Sequence, residues 1–213
     1  LSAVESINSI FEPIFDGHIL AEAVISTLKL WMPTYLQELE IQRSLTRGST
    51  PVPRLYTTRN EFTTFPDDMV PLVVVISPGL VPDSLKHDGE GHYRGWWGIG
   101  VGVIAAANTE KNSDRLAKLY GAAVRAIIIQ HQALDGIWKY SGVVPLDESY
   151  TDVPDPEQER TMRSARLVFN IAVEQVVTKW AGPLEPPDVA TQPGEEWPTV
   201  ASHDVQITRE EEG

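Results

Sequence analysis

The stretch YRGWWGIGVGVIAAAN, which begins at Tyr93, alternates with a period of two: Trp97, Ile99, Val101 and Val103 fall on one side, and Trp96, Gly98, Gly100 and Gly102 on the other. A period of two belongs to a β-strand, whose successive side chains point to opposite faces of a sheet. The first side is an apolar core face. On the second, three glycines in a row cost packing and chain entropy, so they are expected to mark a bend or the close approach of another backbone. A chain with this strand near its middle has to build its core on a sheet.

Gly100, Gly102 and Ala105 also fit, formally, the dinucleotide fingerprint G-x-G-x-x-G/A. That chemistry requires the glycines to lie between a strand and a helix whose N-terminus faces the pyrophosphate. Here the next helical pattern starts about ten residues after Gly102, beyond NTEKNS, and no acid lies near 20 residues on, where the ribose partner is required. The strand reading is therefore preferred, and no cofactor is expected.

Other elements follow from the same periodicities. Residues 16–31 place Leu20, Ala21, Val24, Leu28 and Trp31 on one helical face behind Asp16 as N-cap, and Pro33 is expected to end that helix before a second short one around Leu36, Leu39 and Leu45. The stretch 54–62 reads as a strand, followed by a turn at Pro66, Asp67 and Asp68. Residues 70–77 read as a buried strand closed by Pro78 and Gly79. The polar segment DSLKHDGEGHYRG reads as a protruding loop. Residues 112–134 form the strongest helix, capped by Asn112 or Ser113 and closed by Gly136; its polar stripe of Asp114, Lys118 and Arg125 is narrow, so it packs on more than one side. A loop rich in Asp, Pro and Gly precedes a last strand that alternates Leu167, Phe169, Ile171 and Val173 with Arg166, Val168, Asn170, Ala172 and Glu174. The fold class is α+β: a largely antiparallel or mixed sheet flanked by helices, in one domain over residues 1–181 with N-terminal helices over 1–46.

The net charge of −13 argues against a surface built to grip nucleic-acid phosphates. From Gly182 to the end there are eight acids, one base and five prolines, so residues 182–213 are expected to be an extended acidic arm without a core of its own. No apolar run approaches the roughly 18–20 residues that span a bilayer, and the N-terminus has no secretory signal pattern. Zero cysteines exclude disulfides and thiolate metal sites.

Catalytic and metal chemistry find little support. His87, Asp88, Glu90 and His92 are ligand types, but their spacing matches no metal motif and two glycines leave the loop poorly preorganised, so a solvated loop is favoured. Ser77 and Ser141 lack a G-x-S-x-G elbow, and His131 sits in an ordinary helical context. The pairs Asp67–Asp68 and Asp147–Glu148 read as solvated turn caps. No enzymatic site is expected.

Over residues 50–180 the chain resembles the tail terminator proteins of long-tailed bacteriophages. The resemblance rests on the apolar strand with its Ala- or Asn-containing turn, the long helix with Tyr120 near its middle, the acidic-tyrosine loop with Glu148, Tyr150 and Asp152, and the closing strand with Phe169. It implies a non-enzymatic virion protein, assembled in the host cytoplasm: a hexameric ring that caps the head-proximal end of the tail tube, stops tube polymerisation and docks head-completion proteins. DNA would pass through its lumen without specific binding, and carboxylates lining such a lumen would let the duplex slide. Trp96, Gly98, Gly100, Gly102 and Trp197 are then the candidate packing or inter-subunit residues, and the acidic arm would reach over a neighbouring subunit. Two alternatives stay open: another neck or head-tail joining protein, and a small acidic α/β enzyme or ligand-binding domain.

Overall fold

A computed structural model of the chain describes residues 16–58, 69–87, 92–132, 134, 140–153 and 161–178. The expected turn at 66–68, Gly136 and the arm with Trp197 lie outside the described residues. In chain order the elements are α1 (Gly17–Gln42), β1 (Leu55–Thr57), β2 (Leu72–Leu80), β3 (Lys86–His87), β4 (His92–Ala107), α2 (Glu110–Gln130), β5 (Tyr140–Val153) and β6 (Thr161–Thr178). The six strands form one mixed sheet in the order β1-β2-β4-β6-β5, with β3 paired to β4, and only β1 with β2 runs parallel. This is the expected α+β architecture.

The long pair β4–β6 is the spine, running from Ala107 opposite Thr161 to His92 opposite Thr178. Trp97, Ile99, Val101, Val103 and Ala105 on β4 share a face with Ala165, Leu167, Phe169, Ile171 and Val173 on β6. Both helices pack on that face, with Leu20, Val24, Leu28, Met32 and Leu36 from α1 and Leu116, Tyr120, Val124, Ile127 and Ile128 from α2 in one core cluster.

Several boundaries differ from those read in the sequence. Helix α1 runs through Pro33 instead of stopping before it. An interior proline costs about 3 kcal/mol, but Leu28, Met32, Leu36 and Glu40 form one unbroken buried row at steps of four, and that continuous burial holds the helix together. The two expected N-terminal helices are thus one over the described residues. Helix α2 is capped by Thr109, whose side chain accepts from the Asn112 N–H, rather than by Asn112 or Ser113, and it ends at Gln130 with His131 as C-cap. Ser113 instead turns its hydroxyl to the Ala107 N–H at 3.0 Å. Strand β2 does not stop at Pro78 and Gly79; a bulge between Ile76 and Gly79, with Gly79 at φ 114°, carries it on to Leu80. The expected protruding loop is partly a hairpin, since Lys86 and His87 pair with Arg94 and Tyr93. The segment taken as a loop before the last strand contains β5.

The end of α1 is fixed by a buried carboxylate. Glu40 is 2% exposed, and it accepts the Gly48 N–H at 2.7 Å, the Thr50 N–H at 2.6 Å and the Ser49 hydroxyl at 3.4 Å. The turn it holds leads to Pro51, whose carbonyl accepts the Tyr120 hydroxyl at 2.5 Å, so α1, the turn and α2 are joined. The Gly48 N–H and the other donors outweigh burial and hold Glu40 below its ordinary value of 4.5. Glu40→Gln is expected to lower stability by about 1.5–3 kcal/mol at neutral pH, the range for hydrogen bonds to a charged group. Because the folded-state pKa lies below the unfolded one, this contribution is complete above the unfolded value and is lost as pH falls through the folded value. Urea midpoints of wild type and variant should therefore converge in acid; a gap unchanged between pH 7 and pH 3 contradicts the clamp.

Candidate functional site

The two faces of the sheet are built differently. On the helix side, the polar stripe of α2 meets acids and a cation of the last two strands. Arg125 pairs with Glu148, which also accepts the Tyr150 hydroxyl. Asp114 pairs with Lys118 at 2.7 Å and with Arg163 at 3.3 Å, and Arg163 lies 3.7 Å from Asp152. The Lys118 ammonium holds Asp114 below the usual carboxylate range, while burial and the bond to Glu148 push the Tyr150 phenol up to about 12. Tyr150 approaches α2 closely: a Cβ added at Gly121 would lie 2.7 Å from its hydroxyl. The segment read as an acidic turn is thus the strand that locks α2 to the sheet.

The opposite face carries no described helix. Along β4 it presents Trp96, Gly98, Gly100, Gly102 and Ile104, in register with Ala172, Asn170, Val168, Arg166 and Ser164 on β6. Gly98 is covered by Pro78, whose Cγ would lie 3.0 Å from an added Cβ. At Gly100 and Gly102 the nearest described atoms to an added Cβ are the carbonyl oxygens of Ile76 and Val74 on the adjacent strand, each at 3.9 Å. The glycines therefore sit inside a strand paired on both sides, not at a strand-to-helix turn, which removes the geometry a dinucleotide loop needs. Among the described residues no helix or second backbone layer lies over Gly100 and Gly102. They form the floor of a shallow trough between the side chains of β2 and those of β6. The other end of this face is apolar and closed, with Leu72, Val74, Ile104 and Met162 clustered together.

Trp96 borders the trough at its other end. Its ring edge lies 3.9 Å from a Cβ added at Gly142 on β5. Beside it is a cleft of ≈290 Å³ lined by Asp83, Ser84, Lys86, Arg94, Gly95, Trp96, Ala172 and Val173. The sequence brought Trp96 and the glycines together correctly as one face; Lys86 and Arg94 join Trp96 only through the β3–β4 hairpin.

Residues weighed for catalysis are scattered. Ser77 donates to the Gly98 carbonyl at 3.2 Å. His131 stacks on Trp31, with centroids 4.0 Å apart, and meets the Tyr35 hydroxyl at 2.9 Å. Asp147 and Glu148 are strand residues, not turn caps, and the alternation of β5 sends them to opposite faces, Glu148 toward Arg125. His87 lies against Tyr93; Asp88 and Glu90 are outside the described residues, as is the side chain of His92. Among the described residues no group of three His, Asp or Glu side chains is placed to hold a metal ion, and no helix is long and apolar enough to cross a membrane. Compared with known proteins, the chain matches no family model and no curated protein.

The two kinds of glycine should respond differently to a methyl group. Among the described residues Gly100→Ala and Gly102→Ala meet only ordinary contacts, and they relieve the entropy cost of glycine, so stability should stay level or rise by up to about 1 kcal/mol. Gly121→Ala collides with the Tyr150 hydroxyl and should cost about 1–3 kcal/mol. Urea unfolding of the three variants checks this; a loss at Gly100 as large as that at Gly121 would mean the trough is filled within the subunit.

Proposed function

We propose that this chain is a tail terminator of a long-tailed bacteriophage: a structural, non-enzymatic protein that assembles into a hexameric ring at the head-proximal end of the tail tube, ends tube growth and joins the tail to head-completion proteins. The observation that carries this reading is the one-sidedness of the sheet. Both helices of the described residues are on one face, and the other presents a glycine-floored trough bordered by Trp96, a surface suited to close approach by another protein. The resemblance over residues 50–180 names the kind of assembly.

The chemistry of the described side chains also supports a structural role. Glu40 clamps a turn, Asp114, Arg125, Glu148 and Arg163 lock α2 to the sheet, and Tyr120 ties α2 to the loop after α1. These titratable groups are engaged in holding elements together. The net charge of −13 suits a ring through which DNA slides without being held. In the virion the ring would lie between the tube and the neck.

Light scattering of the purified protein should give the mass of six chains at micromolar concentration, and adding it to polymerising tube protein should shorten the tubes and stop their growth. A protein that stays monomeric at every concentration and leaves tubes elongating would overturn the reading.

A further inference from the structure

The β3–β4 hairpin holds two cations face to face. Lys86 and Arg94 are directly opposite in register, both exposed, and among the described residues neither is in an ion pair. Like charges opposite one another destabilise a hairpin, so the fold of this chain gains nothing from them. They border the cleft of ≈290 Å³, whose apolar lining is Gly95, Trp96, Ala172 and Val173. Ser84 is already engaged with the Trp96 backbone at 3.0 Å and 3.3 Å, and among the described residues the acid lining the cleft is Asp83, an exposed turn residue at φ 58°. The site therefore asks for a ligand with two adjacent negative charges beside a large apolar group.

This chain contains such a ligand in its own sequence. Residues 194–198 read GEEWP: two consecutive acids, Glu195 and Glu196, followed by Trp197. We propose that the Glu195–Glu196–Trp197 segment of one copy docks in the Lys86–Arg94–Trp96 cleft of the next copy. The inference rests on the ring reading and names the contact that closes it. The chain leaves β6 at Thr178, whose partner is His92, two residues from Arg94. Extended backbone spans about 3.3–3.6 Å per residue, so the 17 residues from Thr178 to Glu195 reach roughly 55–60 Å. That exceeds the ~32 Å that twice the radius of gyration gives for a domain of this size, so the segment is long enough to reach a neighbour. Because cleft and segment are different surfaces, the contact is heterologous, the type that generates rings when the rotation closes. Opposite charge would set the pairing and its register, and the indole would supply the buried anchor.

Charge reversal tests this on the full-length chain, with assembly followed by light scattering and folding by circular dichroism. The double variants Lys86→Glu/Arg94→Glu and Glu195→Lys/Glu196→Lys should each raise the concentration for half-assembly about tenfold or more, and the quadruple variant should recover most of that loss. Unchanged assembly in both double variants overturns the inference while leaving the ring in place. A wild-type chain that never assembles overturns the ring itself, and this contact with it. A measurement on wild-type protein guards against misfolded variants: a synthetic peptide of residues 192–199 should dissociate the assembly, and the same peptide with lysines for both glutamates should not. Equal effects of the two peptides would refute the charge pairing.

Discussion

The structure hangs on the pairing of β4 with β6. The two strands stay in antiparallel register from Ala107 opposite Thr161 to His92 opposite Thr178, with one irregularity near Tyr93. Because side chains alternate in both, this register lines up Ile99, Val101 and Val103 with Phe169, Leu167 and Ala165 as one continuous apolar surface. A shift of one residue would turn that whole surface to the other side. Both helices then have one place to go, and the remaining strands take positions on either side of the spine.

The same register sets the character of the other face. With every branched residue of β4 between Trp97 and Val103 turned to the helices, glycine occupies the intervening positions, and at Gly100 and Gly102 the face opposite the helices becomes a trough beside the buried cluster of Leu72, Val74, Ile104 and Met162. The helix side is closed by ion pairs that tie α2 to β5 and β6. On the other side, among the described residues, lie the trough at Gly100 and Gly102, the partly exposed Trp96, and Lys86 and Arg94, neither of them in an ion pair.

Much of this was legible in the sequence, and the exceptions have physical causes. The alternation in β4 and β6, the β-branched run of β2 and the apolar faces of α1 and α2 are written in simple periods, and the structure keeps them. Pro33 misleads because the local bias against helix at the residue before proline says nothing of the buried row running through it at Leu28, Met32, Leu36 and Glu40. Strand β5 was hidden because it lies at the sheet edge and carries a bulge between Pro145 and Asp147, which breaks the alternation, and because its acids look solvated until α2 supplies Arg125. Glu40 carried no signal, since a glutamate near a helix end is ordinarily exposed; only the folded turn at residues 48–50 reveals its three donors. For the candidate site, Trp96 and the glycines were readable as one face from their period of two. Lys86 and Arg94 are eight residues apart and meet only through a hairpin register that the intervening polar residues do not announce.

The most direct test of the central claim is a reconstruction by electron microscopy of this protein bound to the head-proximal end of phage tails. A single six-fold layer between tube and neck is expected, with the helices turned away from, and the Gly100–Gly102 trough turned toward, a neighbouring protein. Density for the chain elsewhere in the particle, or a trough left facing solvent in the assembled layer, would contradict it.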